Sequence, residues 1–322
     1  MKSTYQAAVV TAPGTVILED RPLPTPGEGE VRVRLQGCGV CGSNLPVWEG
    51  RPWFTYPLPP GKPGHEGWGV IDATGPDVGN VRVGDRVAAL SHHAFAEMDV
   101  CNAFQVVRLP EALTDQPFPG EALGCALNVF RRCDVQPHHR VAVIGIGFLG
   151  ALLTQLCARA GARTYAIARR PFAQGVARRM GATEVIAMDD HCRIIETVKE
   201  LTGGNFCDRV IEATGLQWPL DLAGELTAER GRLIIAGYHQ DGTRQVNMQL
   251  WNWRGLDVVN AHERDPRVYI EGMAAAVDAV AGGRLDPSPL YTHTFPIGDL
   301  PRALDAMRGR SDGFLKALVM YN

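Results

Sequence analysis

The run Val141-Ala-Val-Ile-Gly145-Ile-Gly147-Phe-Leu-Gly150 constrains this chain more than any other segment. Four apolar residues suit a buried strand, the glycines suit a tight turn, and an apolar stretch with helical spacing follows at once. The same strand-then-helix order repeats downstream. Val141–Ile144 precedes Phe148–Ala160, Thr164–Ala168 precedes Phe172–Met180, and Val185–Ala187 precedes Arg193–Leu201. Val210–Ala213, a helix around Leu220–Leu226, and Leu233–Ala236 continue the pattern. Alternation at this pitch specifies an α/β fold, a doubly wound parallel sheet wrapped by helices. The 18 residues Val141–Ala158 carry no charge, the length of a membrane span. The three glycines, Thr154, Gln155 and the flanking Arg140 and Arg159 favour a buried strand turning into a buried helix instead.

The first third reads differently. Ala7–Val10, Thr15–Leu18, Val31–Leu35, Trp68–Ala73, Arg86–Leu90 and Phe104–Leu109 are short strand-like runs separated by proline and glycine. After the strand Leu256–Val259 come helical stretches at Val268–Ala281 and Leu300–Met307 and a last strand, Leu315–Met320. The alternating block is already complete, so these closing elements are expected to rejoin the first domain. The organisation is therefore a β-rich domain over 1–122, an alternating α/β domain over 123–261, and a return to the first over 262–322. With 45% of its 322 residues hydrophobic, the chain can bury an ordinary core. A net charge of −3 offers no basic surface for nucleic acid or an anionic membrane. Eight scattered cysteines do not make a disulfide framework, and the apolar stretch near the N-terminus is too short for a secretory signal; a reducing, cytoplasmic setting is expected.

The glycine turn has specific physics. Gly145 supplies the tight turn, Gly147 lets the backbone approach a pyrophosphate, and Gly150 permits close helix packing. The helix N-terminus then offers free N–H groups to the anion. A site for NAD carries an acid about 20 residues on, for the ribose 2′-hydroxyl. No acid occurs between Gly145 and Thr183, and Arg169 and Arg170 occupy the slot. Their guanidiniums suit a 2′-phosphate, so NADP(H) is expected in preference to NAD(H).

A second constellation precedes the nucleotide turn. Cys38-x-x-Cys41 ends a strand, Gly64-His65-Glu66 follows a proline-rich connection, and Glu121-Ala-Leu-Gly-Cys125 lies before Val141. Thiolate, imidazole and carboxylate are the ligand types of a catalytic zinc that keeps one position open. Each piece has another reading. Cys-x-x-Cys is also half a zinc ribbon or a redox pair, and a lone buried Cys or His is often simply core.

In combination these motifs resemble the zinc-dependent alcohol dehydrogenases of the medium-chain dehydrogenase/reductase family, over essentially the full length. Cys41-Gly-Ser43 resembles the family's cysteine ligand followed by a hydroxyl, and Gly64-His65-Glu66 its GHE signature. Glu121-Ala-Leu-Gly-Cys-Ala-Leu-Asn resembles a segment of the polyol-type members, and Val210–Gly215 and Gly231–Gly237 resemble the later cofactor strands. The resemblance implies a GroES-like catalytic domain, a Rossmann cofactor domain and one catalytic Zn2+. It implies Cys41, His65, Glu66 and Glu121 as the metal set, with Glu66 exchangeable and Ser43 passing a proton. Cys125 would face the nicotinamide and Cys38 would be buried packing. Phe148, Leu149, Ala213, Thr214, Gly237 and Lys316 would join Gly145, Gly147, Gly150, Arg169 and Arg170 around the cofactor. Three departures stand out: Asn44 replaces a usual Asp, Pro46 stands at the relay histidine, and the four-cysteine structural zinc lobe is missing. His92 and His93 are expected to be solvated loop residues, the alternative being that they border the cleft.

The implied reaction is reversible hydride transfer between NADP(H) and an alcohol or ketone (EC 1.1.1.-) in a homodimer or homotetramer, with a small secondary alcohol, polyol or sugar-like substrate. Trp48 and Trp53 are candidate pocket walls, and Trp251 and Trp253 candidate subunit contacts. A zinc-free NADPH-dependent quinone or enone reductase is the competing enzyme, and a silent NADP-binding interaction protein the competing non-enzyme.

Overall fold

Apolar runs punctuated by proline and glycine do become strands in the computed structural model, which describes residues 3–321. In chain order they are β1 (Thr4–Ala12), β2 (Thr15–Pro22) and β3 (Glu30–Gly39), then the single-turn helix α1 (Leu45–Trp48). β4 (Glu66–Thr74), β5 (Arg86–Leu90), β6 (Met98–Asn102) and β7 (Val106–Arg108) follow, and then α2 (Gly120–Cys133). The alternating block is β8 (Arg140–Ile144), α3 (Phe148–Arg159), β9 (Arg163–Ala168), α4 (Pro171–Arg179), β10 (Glu184–Ala187) and α5 (His191–Leu201). It continues through β11 (Cys207–Glu212), α6 (Gln217–Leu226), β12 (Thr227–Ile235), α7 (Met248–Arg254) and β13 (Asp257–Asn260). The chain closes with α8 (Pro266–Ala281), β14 (Tyr291–Pro296), α9 (Leu300–Gly309) and β15 (Lys316–Met320).

Two units result. The chain up to Cys125 and the segment from Arg264 form one, Ala126–Glu263 the other, so the boundary falls inside α2. In the first unit β1 and β2 form a hairpin beside a seven-stranded sheet ordered β14-β15-β3-β4-β5-β7, with β6 also on β3. β15 pairs antiparallel with β3, Val319 opposite Cys38, which is how the closing segment rejoins the start. Along β3, Val31, Val33 and Leu35 point into the core while Arg32 and Arg34 alternate away from it. Leu300, Leu304 and Met307 of α9 pack on that same core.

The second unit is a six-stranded parallel sheet ordered β10-β9-β8-β11-β12-β13. β8 lies inside it with Val141, Ala142, Val143 and Ile144 all buried, as an unbroken apolar strand requires. The uncharged run is therefore β8 and α3, and no helix among the described residues is long and apolar enough to cross a membrane. The strand order reverses at β8, between β9 and β11, which is where open α/β sheets bind ligands beyond their strand ends.

The structure departs from the sequence expectation in places. Phe104 lies in a 3-10 turn, Ala103–Gln105, because Asn102 caps it: its side chain accepts from Phe104 N at 3.2 Å. β14 and α7 lacked a clear periodic signal. Trp251 is core, packed against Gly224, where a Cβ would lie 2.4 Å from the indole nitrogen. Trp253, by contrast, is 88% exposed.

Candidate active site

Three ligand atoms converge in the first unit. Cys41 Sγ, a ring nitrogen of His65 and a carboxylate oxygen of Glu66 all lie within 4.8 Å of one another. β3 ends just before Cys41, and β4 begins at Glu66, pairing with β3 through Gly39. Pairing of these two strands thus carries the ligand segments together although 23 residues separate Cys41 from His65 and its neighbours in the ladder. Asn44, 1% exposed, fastens the loops: its Oδ1 accepts from Cys41 N at 2.9 Å and its Nδ2 donates to Pro63 O at 3.0 Å. The same carbonyl accepts from His65 Nδ1 at 2.9 Å. That bond fixes the proton on Nδ1 and leaves Nε2, 3.5 Å from Ser43 Oγ, as the ligand atom. A thiolate, an imidazole with its outer nitrogen anchored and a carboxylate are a donor set that fits zinc.

Buried charge dominates the electrostatics. Burial alone would lower the His65 pKa, but its hydrogen bond and charge interaction with Cys41, then Glu121 and Glu66, raise it to about 10. Glu66 is paired with the ammonium of Lys316, 2.7 Å from Oε1 and 2.5 Å from Oε2. Only Oε1 receives a hydrogen bond, and Oε2 faces Gly39, where a Cβ would sit 1.8 Å away. Burial depresses the Lys316 pKa, yet Glu66 and Cys41 outweigh it and hold the ammonium charged. Lys316 is 3% exposed and its ammonium pairs with Glu66.

Glu121 does not join the three-residue cluster. It is buried on the first turn of α2, where burial raises its pKa and the nearby His65 pulls it back down. The Cys125 thiol, one turn on, donates to Glu121 Oε1 at 3.2 Å, and burial pushes that thiol well above its ordinary pKa. Cys38 is fully buried, its thiol on the Gly39 carbonyl at 3.3 Å. Trp48 is no pocket wall: it is 3% exposed, part of the core, with its indole N–H on Asp305 at 2.9 Å. Trp53 is 57% exposed. His93 is also not a free loop residue, since its Nδ1 donates to Pro60 O at 2.7 Å.

In the second unit the glycines act as their chemistry requires. Gly145 has φ +92° after β8, and Gly147 is the N-cap of α3, with nothing within 4 Å of where a Cβ would be. A Cβ on Gly150 would meet the Gly145 carbonyl at 1.9 Å, so this helix turn presses on the strand end. Phe148 and Leu149 open α3 between them. Ala213, Thr214 and Gly237 follow the carboxyl ends of β11 and β12. Arg169 is exposed just beyond β9, and Arg170 is the N-cap of α4. One feature escaped sequence reasoning. Glu212, fully buried, accepts from Thr214 N at 2.6 Å, Gly215 N at 3.0 Å and His239 Nε2 at 3.0 Å. Arg244 Nε in turn donates to His239 Nδ1 at 3.0 Å. The signal was an acid directly after the buried apolar pair Val210-Ile211 at the end of β11.

Comparison with known proteins places this geometry. A model of the alcohol dehydrogenase GroES-like domain matches residues 27–128, and one of the zinc-binding dehydrogenases matches 149–278, together well over half of the chain. An alcohol dehydrogenase of Cupriavidus necator is 25% identical, covering 99% of both chains. Human sorbitol dehydrogenase is 27% identical over 95% of this chain and 92% of its own. A solved zinc-binding dehydrogenase of Sinorhizobium meliloti 1021, bound to NADP, superposes with TM-score 0.87 at 22% identity, covering 99% of this chain and 100% of its own. The chain belongs to the zinc-type alcohol dehydrogenase family of medium-chain dehydrogenase/reductases and is an NAD(P)-dependent oxidoreductase.

Proposed function

We propose that this protein interconverts a secondary alcohol, polyol or sugar-like substrate and its ketone, using one zinc and preferring NADP(H) to NAD(H). The observation that carries the proposal is the convergence of Cys41, His65 and Glu66 within 4.8 Å of one another. When bound, zinc would supply a Lewis acid for the substrate oxygen and a nicotinamide would supply the hydride carrier. Cys41, His65 and Glu66 hold the metal, and Glu121 is the candidate fourth ligand, coupled electrostatically to both His65 and Glu66. Ser43, 3.5 Å from His65 Nε2, accepts the substrate hydroxyl proton and passes it outward. Asn44 keeps the Cys41 and His65 segments in register without adding a charge.

Gly145, Gly147, Gly150, Phe148, Leu149, Ala213, Thr214 and Gly237 are assigned to the cofactor. The exposed Arg169 supports the NADP(H) preference, with no acid on the strand end that would repel a 2′-phosphate. The bound NADP of the Sinorhizobium meliloti protein agrees with it. All eight cysteines are free, which supports a reducing, cytoplasmic setting. We place the homo-oligomer contact on β13, one of the two edge strands of the parallel sheet. Alcohols and ketones assayed in parallel with NADP(H) and NAD(H), with and without a chelator, test the reading. It requires chelator-sensitive turnover that is faster with the phosphorylated cofactor; chelator-resistant turnover of quinones or enones would replace it with a zinc-free reductase.

A further inference from the structure

A fully buried carboxylate at a strand end needs donors, and Glu212, at the end of β11, draws them from two loops. From the loop after β11 it receives Thr214 N at 2.6 Å, the Thr214 hydroxyl, and Gly215 N at 3.0 Å. From the loop after β12 its side chain receives His239 Nε2 at 3.0 Å. Its backbone carbonyl receives Ala236 N and Gly237 N, both at 2.8 Å. Arg244 closes the network: Nε donates to His239 Nδ1 at 3.0 Å and Nη2 to Gly215 O at 3.0 Å. Gly215 is thus held at its N–H by one end of the network and at its carbonyl by the other. The tautomer follows. A guanidinium can only donate, so His239 Nδ1 accepts, Nε2 carries the proton, and the imidazole is neutral between a carboxylate and a cation.

Close packing carries this network to the glycine turn. A Cβ on Gly145 would overlap Thr214 Cγ2, and one on Gly150 would lie 3.7 Å from Ala213 Cβ. A Cβ on Gly237 would lie 2.8 Å from both Glu212 Oε2 and Thr214 N, so the two loops abut with no room for a side chain between them. In the sheet, β9, with Arg169 just beyond its end, lies on one side of β8, and β11 and β12 lie on the other. A dinucleotide laid across the turn with its adenosine end toward β9 leaves its nicotinamide half over the ends of β11 and β12. We propose that Glu212, His239 and Arg244 are positioning residues for that half. A neutral His239 bridging carboxylate and guanidinium locks the two loops into one surface before the cofactor arrives, so binding does not have to order them. The three act through the loops rather than by touching the cofactor. The proposal rests on the assignment of the glycine turn to the cofactor and adds residues beyond that turn.

Titration of the full-length protein with NADPH, and with adenosine 2′,5′-bisphosphate, which lacks the nicotinamide half, tests it. Arg244→Met and His239→Leu should each weaken NADPH binding by about tenfold, the worth of one hydrogen bond to a charged group. Both should leave the bisphosphate within about twofold of wild type, as for a ligand that shares no partner with the altered residue. His239→Gln, whose amide donates through Nε2 and accepts through Oε1, should bring NADPH binding back near wild type. If His239→Leu does not fold, Arg244→Met, at the partly exposed end of the network, reads the same contrast. Equal weakening of both ligands, as from a general loosening of the domain, overturns the proposal. So does NADPH affinity unchanged in Arg244→Met, or a His239→Gln variant that behaves like His239→Leu. A wild type that binds neither NADPH nor NADH removes the glycine-turn assignment and the proposal with it. A wild type that binds NADH more tightly than NADPH removes only the NADP(H) preference, and the same contrast is then read between NADH and AMP.

Discussion

Lys316 Nζ donates to Glu66 Oε1 at 2.7 Å, an ion pair buried almost completely and closed across 250 residues of sequence. It ties the last strand of the chain to the strand that carries a metal ligand. Both ions have been taken out of water, so each depends on the other.

Lys316→Met leaves the Glu66 carboxylate buried and unpaired. Loss of one partner of a buried pair costs roughly 3–5 kcal/mol, so denaturant unfolding of the metal-free variant should show a loss of that order. A change below about 1 kcal/mol, the range of an exposed pair, would mean the ammonium does not stabilise Glu66 as the geometry indicates.

Gly39→Ala puts a methyl 1.8 Å from Glu66 Oε2. The carboxylate must move away from both Lys316 and the Cys41–His65 pair, so zinc retention after dialysis should fall while far-UV circular dichroism stays near wild type. Full zinc retention would show that Glu66 does not contribute to the metal set.

Gly150→Ala meets the Gly145 carbonyl at 1.9 Å and must push α3 off the strand end. Overpacking of this kind costs typically about 1–3 kcal/mol, and dinucleotide affinity should drop with it in a fluorescence titration. Unchanged affinity would remove the Gly145–Gly150 turn from the cofactor site.

Arg169→Asp with Arg170→Ala should weaken NADPH binding by about tenfold or more and spare NADH, since it removes the cations and adds repulsion of the 2′-phosphate. The ratio of the two dissociation constants reads this directly, and an unchanged ratio contradicts it.

Zinc uptake should depend steeply on pH. In the metal-free protein the His65 pKa is raised from 6.5 to about 10, so the stabilisation from its charged form is complete below 6.5 and lost as pH rises through about 10. The ligand is the neutral imidazole, so zinc must displace that proton, and apparent affinity should rise about tenfold per pH unit across the neutral range for His65 alone. Chelator competition between pH 6 and pH 8, about the range where most proteins are handled, checks the slope; a flat profile would contradict it.

Much of this was legible in the sequence because it depends on local pattern. The apolar strand β8, the three glycines after it and the missing acid beyond β9 are contiguous signals, and each maps directly to backbone geometry. Cys41, His65 and Glu66 were legible as ligand types, and the β3–β4 pairing that unites them follows from two strand-like runs. What could not be read depends on side-chain direction across long separations. Trp48 looked like a pocket wall, but its indole turns into the core onto Asp305. The pairing of Lys316 with Glu66 was also hidden, because the β15–β3 ladder joins segments at opposite ends of the sequence. Glu121 had the right residue type and place in the chain, yet its carboxylate lies outside the three-residue cluster and takes the Cys125 thiol. The Glu212–His239–Arg244 chain joins the end of β11 to the loop after β12, which no spacing rule connects.

The most direct test is elemental analysis of the purified protein after zinc loading and exhaustive dialysis, beside a Cys41→Ser, His65→Ala double variant. The account predicts about one zinc per chain in the wild type, almost none in the double variant, and alcohol oxidation that follows the metal. A wild type that keeps no zinc, or that oxidises alcohols equally well without it, would contradict a metal held at Cys41, His65 and Glu66.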